Sequence, residues 1–511
     1  MSHMRVRFPP SPTGHWHLGN ARTALFNWLA ARHYGGTFIL RVEDTDRQRY
    51  VPEALDEIIE GMRWLGMDYD EGPIKGGPHE PYFQSQRLEI YREFARRLCE
   101  SGHAYPCFCT PERLAEMRKQ QRAAGLAPKY DRRCRSLDPE EAQRRIAAGE
   151  PHVLRFATPD GEKVAVRDMI RGTVEFNTDD LDDFVLVKSD GFPVYNFAVV
   201  VDDITMEITH VIRGEDHLSN TPRQLLIYRA LGAEPPRFAH VPLLLNKQRK
   251  KLSKRELSKG VLAYRDEGYL PSAVVNFLAL LGWSPGDDRE LMSVEEICAE
   301  FTIERISPAP AIFDVEKMEW LNSQHITATA GETLLSLARP FLAQRGLLPE
   351  GELDAQQRDY AIRVMDLMKS RSRTLVQLAE YTDFLFSDEY SYDPKGVRKR
   401  LLCSERIPAI LDSLAAVLDA VEPWAEEEIE SAFRAEMARL EVGGEAIHAA
   451  RVAVSGRTVG PGLFELLEVL GKERTCARLR RTAELLRSGE LQRLAESPAG
   501  EGVGEEPKEK R

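Results

Sequence analysis

Hydrophobic positions at the start of the chain change their period twice, from a strand to a helix and back to a strand. Residues 5–9 are partly apolar and end in prolines, which predicts a buried strand entering a loop. Apolar residues then recur at helical spacing: Ala21, Ala24, Leu25, Trp28 and Leu29. Gly35 and Gly36 end this helix, and residues 37–42 predict a second buried strand. Strand, loop, helix and strand form a βαβ unit, so we predict a doubly wound, Rossmann-like parallel sheet.

The rest of the chain predicts two further kinds of structure. Residues 103–185 hold a polar helix and short alternating runs, which indicate an α+β insertion. Strands of the parallel sheet are predicted again at residues 183–187 and 198–201. From about residue 326 strand signals nearly vanish, so an all-α C-terminal part is expected; Ile429, Phe433, Met437 and Leu440 are spaced as one face of a helix. Residues 491–511 end in a tail rich in Gly, Glu, Pro and Lys that is predicted to be disordered.

Length, charge and cysteine content narrow the class of protein. A chain of 511 residues is too long for one core and suggests three or four domains. No run of about 18 apolar residues is present, so we expect neither a membrane span nor membrane partners. Seven cysteines, of which three cluster, argue against a disulfide framework and for a reducing cytoplasm. The net charge of -12 is unfavourable for binding a nucleic acid, which is itself negatively charged, although such binding needs only a local basic patch.

The first candidate for chemistry is a turn between the first strand and the first helix. It reads PSPTGHWHLGN over residues 10–20. Backbone N–H groups at a helix N-terminus favour a phosphate, His17 adds a side-chain donor, and Gly19 allows close approach of a ligand to the backbone. Taken alone, such a segment is equally compatible with a structural turn and a surface histidine.

The second candidate is a basic segment about 230 residues downstream, which reads KQRKKLSKR over residues 247–255. Six basic residues in nine can neutralise a triphosphate, and a lysine ammonium is a good point charge for a phosphate in transfer. Taken alone, the run is more often a solvated basic face or a nucleic-acid patch without chemistry. Together, and in this order, the two segments indicate the two sides of an ATP site (its two jaws) that close on the nucleotide.

These residues also resemble a known family. HLGN is similar to the "HIGH" signature and KLSKR to the "KMSKS" signature of class I aminoacyl-tRNA synthetases. The flanking segments resemble the bacterial glutamyl-tRNA synthetases from about residue 5 to about residue 485; they include LRVEDTDRQRY, WLGMDYDEGP, YNFAVVVDD, VIRGEDHLSNTPRQ and PGLFELLEVLGKER. Asn20 stands where the second histidine of the signature would be, at a position that varies in the family.

The resemblance implies a ligase reaction in two steps. Glutamate attacks the α-phosphorus of ATP–Mg²⁺ to give glutamyl-adenylate, and a terminal ribose hydroxyl of tRNA-Glu then takes the glutamyl group. Catalysis is then mainly positioning and stabilisation of phosphoryl charge. The resemblance assigns it to His17 and Lys254, with Lys251 and Ser253 in support. It assigns ATP binding to Thr13, His17, Gly19, Asn20, Asp216 and Lys254.

An acidic amino acid needs buried cations to bind its carboxylates. The family pattern implies that five residues hold glutamate: Arg7, Ser11, Glu43, Tyr195 and Arg213. Glu43 is expected to pair with the ammonium group and the arginines with the carboxylates. Any one of these residues can instead belong to a structural ion pair.

A cysteine cluster predicts a metal site in the insertion. Cys107, Cys109 and Cys134 resemble the zinc ligands of some family members, but Ser136 stands where a histidine would complete the set. Tyr130 can supply an oxygen, as related tRNA-modifying paralogues suggest. Zinc and three free cysteines are both open at this point.

The helical C-terminal part is expected to read the anticodon. Basic clusters recur at Lys369, Arg371 and Arg373, at residues 398–400 and at residues 478–481, although each is more often a solvated helix face. By resemblance, Arg371 aligns with the arginine proposed to select the third anticodon base, so the enzyme is expected to discriminate against tRNA-Gln.

The resemblance gives a division into domains and leaves alternatives. The expected segments are 1–102 and 186–245 (catalytic domain), 103–185 (acceptor-binding insertion), 246–325 (stem-contact domain), 326–490 (anticodon-binding domain) and 491–511 (tail). A cytoplasmic monomer is expected. The alternatives are a tRNA-modifying paralogue, which lacks the helical part, a non-catalytic tRNA-binding protein, a nucleotidyltransferase and a glutaminyl enzyme, whose anticodon part is largely β.

Overall fold

The computed structural model describes residues 3–46, 51–252 and 259–496. The chain divides into two compact units, of which the first contains Met1–Asp266 and Pro271–Leu321, and the second contains Glu267–Leu270 and Asn322–Arg511. Among the described residues, every helix is too short or too polar to cross a lipid bilayer.

The predicted βαβ unit is present at the start of the first unit. It consists of β1 (Arg5–Phe8), α1 (Leu18–His33) and β2 (Thr37–Leu40). The two strands pair in parallel from Arg5 opposite Thr37 to Phe8 opposite Leu40. Helix α1 is buried on most of its faces, including Arg22 and Asn27, rather than on one apolar face. Gly35, at φ 60°, follows its end, a conformation that favours glycine.

The remaining elements of the first unit follow in chain order. They are α2 (Pro52–Trp64), α3 (Leu88–Glu100), β3 (Ala104–Cys107), α4 (Pro111–Ala123), α5 (Pro139–Ala147), β4 (Val153–Phe156), β5 (Lys163–Asp168), β6 (Gly172–Asn177), β7 (Val185–Val187), α6 (Tyr195–Thr205), β8 (His210–Gly214), α7 (Thr221–Ala230), β9 (Arg237–Val241), β10 (Leu244–Leu245), α8 (Val261–Asp266), α9 (Pro271–Leu280), α10 (Val294–Glu300), β11 (Ala311–Ile312) and α11 (Val315–Ala328), the last of which continues into the second unit.

Parallel strands from distant parts of the sequence form the core of the first unit. Strands β8 and β9 pair in parallel from His210 opposite Arg237 to Gly214 opposite Val241. Strand β1 lies beside β8, since the backbone N–H of Thr209 donates to the carbonyl of Arg5 at 3.0 Å. The hairpin β5–β6 extends this sheet in the order β6-β5-β9-β8. The predicted parallel, doubly wound arrangement is therefore confirmed.

The prediction of parallel strands at residues 183–187 and 198–201 is wrong in both places. Residues 185–187 do form a strand, β7, but it runs antiparallel to β4 within the separate sheet β3-β4-β7 of the insertion. Residues 198–201 lie in the helix α6, which is buried from Phe197 to Asp203. A short continuous apolar run fits a buried strand and a buried helix equally well, so periodicity alone did not separate them.

The second unit is helical throughout the part of it that the structure describes. Its helices after α11 are α12 (Gly331–Gln344), α13 (Ala355–Met368), α14 (Leu375–Tyr381), α15 (Asp383–Phe386), α16 (Pro394–Gly396), α17 (Ile407–Asp419), α18 (Glu426–Leu440), α19 (Gly444–Ser455), α20 (Leu463–Leu470), α21 (Lys472–Arg487) and α22 (Glu490–Glu496). Ile429 and Phe433 are fully buried on α18, as their spacing predicts. Helix α22 corrects the predicted tail, because residues 491–496 are helical, and residues 497–511 lie outside the described residues.

Candidate active site

The carboxyl ends of three core strands carry the residues that the sequence singled out. Ser11 and Thr13 follow β1, Glu43 follows β2, and Asp216 follows β8. Ser11, Thr13 and Asp216 are exposed, whereas Glu43 is buried. Parallel strands end at the same edge of a sheet, and ligands of doubly wound sheets bind there. Candidate residues separated by up to about 200 positions are thus gathered at one edge.

His17 is the N-cap of α1. Its Nδ1 accepts a hydrogen bond from the backbone N–H of Asn20 at 3.3 Å, and burial lowers the pKa of its imidazole. A neutral ring that accepts at Nδ1 carries its proton on Nε2, which leaves one N–H donor. Gly19 makes room for the ring, since a Cβ there would lie 3.1 Å from Nδ1 of His17. The helix N-terminus and this donor together suit a phosphate.

The chain just after the basic segment contacts the turn that carries His17. Lys251 is exposed and forms a β-bridge with Leu245 of β10. Ser253 and Lys254 lie outside the described residues. Where the described chain resumes, Gly260 forms a β-bridge with His17. The backbone N–H of Val261 donates to the carbonyl of Trp16 at 2.9 Å. The chain that follows the second signature segment therefore contacts the first one.

Glu57 supports this junction and was not singled out from the sequence. Its Oε2 lies 2.8 Å from Nδ1 of His15, and its Oε1 accepts from the backbone N–H of Trp16 at 3.2 Å. A Cβ added at Gly260 would lie 2.6 Å from Oε1 of Glu57. No local pattern marks Glu57, because its role depends on the packing of α2 against the turn that carries His17 and against Gly260.

Arg7 lies in the interior of the site rather than at its rim. It is 1% exposed, and its Nε donates to Oδ1 of Asp203 at 3.1 Å. Its Nη1 has no hydrogen-bond partner among the described groups. Buried donors are rarely left unsatisfied, so Nη1 is a candidate to bind a ligand oxygen.

A second buried cation, Arg41, shares the carboxylate of Asp203. Its Nη1 donates to Oδ1 of Asp203 at 2.7 Å, and its Nη2 lies 3.5 Å from Oε1 of Glu43. Burial raises the pKa of Glu43 to about 7, against the opposing effect of Arg41 and Arg7. Burial also acts on Asp203, but Arg7 and Arg41 outweigh it and hold its pKa below the ordinary value. Neither Arg41 nor Asp203 was predicted as part of the site.

Arg213 is a buried arginine whose hydrogen bonds, among the described residues, all go to uncharged groups. Its Nη2 donates to Oγ1 of Thr221 at 2.9 Å and to Oε1 of Gln224 at 2.8 Å. Its Nη1 lies 3.5 Å from the hydroxyl of Tyr195, which in turn is 3.1 Å from Nδ1 of His217. Burial lowers the pKa of Arg213. A buried guanidinium held by neutral partners is suited to an anionic ligand.

The cysteine cluster is also assembled. The sulfur atoms of Cys107, Cys109 and Cys134 all lie within 4.8 Å of one another. The hydroxyl of Tyr130, which is 3% exposed, lies 3.2 Å from Sγ of Cys107 and 3.5 Å from Sγ of Cys109. Three sulfurs and one oxygen at this spacing fit a four-coordinate zinc ion.

The basic clusters of the second unit differ in what they contact. Arg371 ends a short 3-10 helix and is exposed, and its charge lowers the pKa of Arg451, whose burial is the larger cause. Arg478 is 3% exposed and donates to Asp388 at 2.9 Å, while Arg480 pairs with Asp419 at 3.0 Å. The cluster at 478–481 is thus largely structural, whereas Arg371 is exposed.

Comparison with known proteins identifies the family. Residues 3–320 match the family described as tRNA synthetases class I (E and Q), catalytic domain. The chain belongs to this family. Residues 333–483 match the anticodon binding domain family, so the synthetase catalytic part is followed by an all-helical anticodon-binding part, as predicted.

Relatives of this synthetase span nearly its whole length. It is 46% identical over 488 residues to the glutamate–tRNA ligase of Moorella thermoacetica, which covers 95% of this chain and 99% of the relative. It is 47% identical over 487 residues to glutamate–tRNA ligase 2 of Thermoanaerobacter pseudethanolicus, with 95% and 99% covered. A crystal structure of a glutamate tRNA ligase from Elizabethkingia meningosepticum, in complex with its amino acid, matches with a TM-score of 0.86 and 36% identity over 95% of this chain and 100% of that chain.

Proposed function

We propose that this synthetase is a glutamate–tRNA ligase. It activates L-glutamate with ATP–Mg²⁺ to glutamyl-adenylate and transfers the glutamyl group to the 3′ end of tRNA-Glu. The observation that carries the proposal is the pair of buried arginines at the carboxyl edge of the sheet. Nη1 of Arg7 has no hydrogen-bond partner among the described groups, and Nη1 of Arg213 has only a long contact of 3.5 Å to the hydroxyl of Tyr195. Two cations suit an amino acid with two carboxylates.

The residues divide the work by charge. Glu43 pairs with the α-ammonium of glutamate, Arg7 and Arg213 bind carboxylates, and Ser11 and Tyr195 contribute hydroxyl groups. His17 donates from Nε2 to a phosphate of ATP at the N-terminus of α1. Thr13, Gly19, Asn20 and Asp216 line the ATP side, and Lys251, Ser253 and Lys254 supply the opposite jaw. Catalysis then rests on orientation and on stabilisation of charge on the phosphoryl oxygens, with no covalent enzyme intermediate.

The first test is glutamate-dependent exchange of pyrophosphate into ATP, with and without tRNA enriched in the glutamate acceptor. Exchange that needs glutamate supports the ligase, and aspartate and glutamine serve as control amino acids. Exchange only in the presence of tRNA would add a gate, in which the jaws assemble around the acceptor end. Folded protein without exchange in either case would overturn the proposal in favour of a tRNA-binding protein.

Glutamate binding is expected to depend on pH through Glu43. Its pKa of about 7 means that the free enzyme gains a proton on this carboxyl as the pH falls below about 7. The protonated carboxyl is neutral and loses its attraction for the ammonium group. We therefore expect kcat/KM for glutamate to fall about tenfold per pH unit below about pH 7, because kcat/KM reports groups of the free enzyme.

The matched control for this profile is Glu43→Gln, which keeps the size of the side chain but not its charge. Its kcat/KM for glutamate is expected to be low and nearly independent of pH between about 6 and 8. A wild-type profile that is equally flat would contradict the role of Glu43.

Zinc is proposed at Cys107, Cys109, Tyr130 and Cys134. Bound there, it would tie the end of β3 to the segment before α5 and stabilise the insertion. Protein purified without chelators is expected to contain about one zinc per chain by elemental analysis. Cys109→Ser is expected to lose most of it, whereas Cys403→Ser, at an exposed cysteine outside the cluster, keeps it. Wild-type protein without zinc would leave three free cysteines.

Arg371 is proposed to read the anticodon. It is exposed beside Arg451, and two neighbouring cations gain from a polyanionic partner. If Arg371 forks onto a base edge, Arg371→Gln is expected to reduce the preference for tRNA-Glu over tRNA-Gln by about 10- to 100-fold. Arg358→Gln, at an exposed arginine of α13 that pairs with Glu332, is the control. Comparable charging of both tRNAs by the wild-type enzyme would refute the assignment.

The division into domains, the oligomeric state and the cellular location belong to the same proposal. The division into catalytic segments 1–102 and 186–245, insertion 103–185, stem-contact domain 246–325 and anticodon-binding domain 326–490 places the proposed roles along the chain. The enzyme is proposed to act as a monomer in the cytoplasm, a compartment that contains tRNA and keeps cysteines reduced.

A further inference from the structure

Three of the donor positions of Arg213 are occupied by neighbours that fix the plane of its guanidinium. Nε donates to Nε2 of His240 at 3.1 Å, and Nη2 donates to both Thr221 and Gln224. Nη1 is left with a long contact of 3.5 Å to the hydroxyl of Tyr195. The arrangement therefore directs Nη1 toward Tyr195 and leaves it available for a ligand.

The contact at Nε fixes the protonation state of His240. An arginine Nε–H can only donate, so Nε2 of His240 must accept and the ring must carry its proton on Nδ1. Nδ1 lies 2.6 Å from Oδ2 of Asp168, which accepts that proton's hydrogen bond. Both side chains are completely buried. Burial lowers the pKa of His240, in agreement with a neutral ring.

Asp168 is itself held in one orientation. Its Oδ1 accepts from the backbone N–H groups of Ile170 at 2.9 Å and Arg171 at 2.8 Å, in the turn after β5. Burial alone would raise its pKa, but the hydrogen bonds from His240 and from this turn keep the pKa below its ordinary value. The carboxylate is thus ionised and rigid, and it selects one tautomer of His240.

We infer that His240 and Asp168 are positioning residues for glutamate, acting through Arg213. A carboxylate directly on Nε would orient Arg213 equally well, but it would offset part of the positive charge of the guanidinium. A neutral imidazole orients the guanidinium and leaves its charge uncancelled. Asp168 contacts the other nitrogen of the ring and so strengthens Nε2 of His240 as a hydrogen-bond acceptor without touching Arg213. The inference rests on the proposed function, in which Arg213 binds a carboxylate of glutamate.

A double-mutant cycle tests the inference with the full-length enzyme. The variants are His240→Leu, Arg213→Ala and both together, and the readout is kcat/KM for glutamate in pyrophosphate exchange at saturating ATP with tRNA present. In the wild-type background His240→Leu is expected to lower kcat/KM about 10- to 100-fold, with KM for ATP changed by less than about twofold. In the Arg213→Ala background the same change is expected to cost less than about twofold, because coupled sites are not additive.

Two further variants separate positioning from a purely structural role. His240→Gln keeps an acceptor oxygen and is expected to stay within about threefold of the wild type. Asp168→Asn turns an amide donor toward Nδ1, disfavours the required tautomer and is expected to cost about tenfold. His325→Leu, at a histidine of the second unit that is 8% exposed, controls for the loss of a buried imidazole and is expected to leave kcat/KM unchanged.

The outcomes distinguish the inference from the proposed function. If Arg213→Ala leaves kcat/KM for glutamate intact, the proposed function fails at this residue. If Arg213→Ala lowers it but His240→Leu costs the same in both backgrounds, His240 is a structural core histidine and the inference is overturned. If His240→Leu does not fold, the contrast between His240→Gln and Asp168→Asn decides, and equal losses in these two would overturn the inference.

Discussion

Replacing Arg213 with alanine is expected to lower kcat/KM for glutamate by about 30-fold to several thousand-fold. Removing one partner of a buried, charge-assisted hydrogen bond costs about 2–5 kcal/mol, and about 1.4 kcal/mol corresponds to a factor of ten. Arg213 is 5% exposed, so water cannot readily replace its contact with a carboxylate. KM for ATP is expected to change little, because Arg213 is proposed to bind glutamate and the proposed ATP contacts are made by other residues.

The measurement is pyrophosphate exchange with glutamate and ATP varied separately. Arg229→Ala is the matched control, since Arg229 is an exposed arginine of the neighbouring helix α7 that pairs with Glu162 at 2.7 Å. It is expected to stay within about twofold for both substrates. Equal increases in KM for glutamate and ATP in Arg213→Ala would assign Arg213 to general support of the site instead.

The fold was predictable from sequence where the signals are local. The first strand, helix and second strand differ in hydrophobic period, and the glycines at 35 and 36 end the helix in the observed place. Residues 198–201 show where this reasoning stops, because a buried helix between layers loses its polar face and then looks like a buried strand. Only its packing between other elements reveals the helix.

The site was predictable to the extent that its residues lie in short motifs. Arg7, Glu43 and Arg213 come from three separate segments, and the ends of parallel strands bring them to one edge. The residues that hold the two arginines in place were not predicted: Asp203, which accepts from Arg7, His240, which accepts from Arg213, and Asp168, which accepts from His240. Such residues lie on other elements at no fixed spacing from the motifs, so only tertiary structure pairs them. Asp203 even lies within a segment that marked the family, but nothing local indicated which arginine it contacts.

Replacing Asp203 with asparagine is expected to lower the free energy of unfolding of the first unit by about 3–5 kcal/mol at neutral pH. Its carboxylate serves two arginines that are 1% and 0% exposed, Arg7 and Arg41. Breaking a buried ion pair from one side leaves uncompensated charge, which is far more costly than losing an exposed pair. Asp202 and Glu43 remain near Arg41, at 3.6 and 3.5 Å, and compensate only part of the charge.

The measurement is denaturant unfolding followed by tryptophan fluorescence. Trp424 is the one tryptophan of the second unit, so a Trp424→Phe background makes the signal specific to the first unit. Glu162→Gln removes the exposed pair with Arg229 and is expected to cost less than about 0.5 kcal/mol. This control separates the effect of burial from that of losing any carboxylate.

The pH dependence supplies an independent check on Asp203. Its pKa is lowered in the folded protein, so the stability it contributes is present above the ordinary aspartate pKa of about 4 and is lost as the pH falls through the folded value. The difference in unfolding free energy between the wild type and Asp203→Asn should therefore narrow in acid. A difference below about 1 kcal/mol at pH 7 would mean that Asp202 and Glu43 suffice to compensate Arg41, and that burial of Arg7 does not require the carboxylate of Asp203.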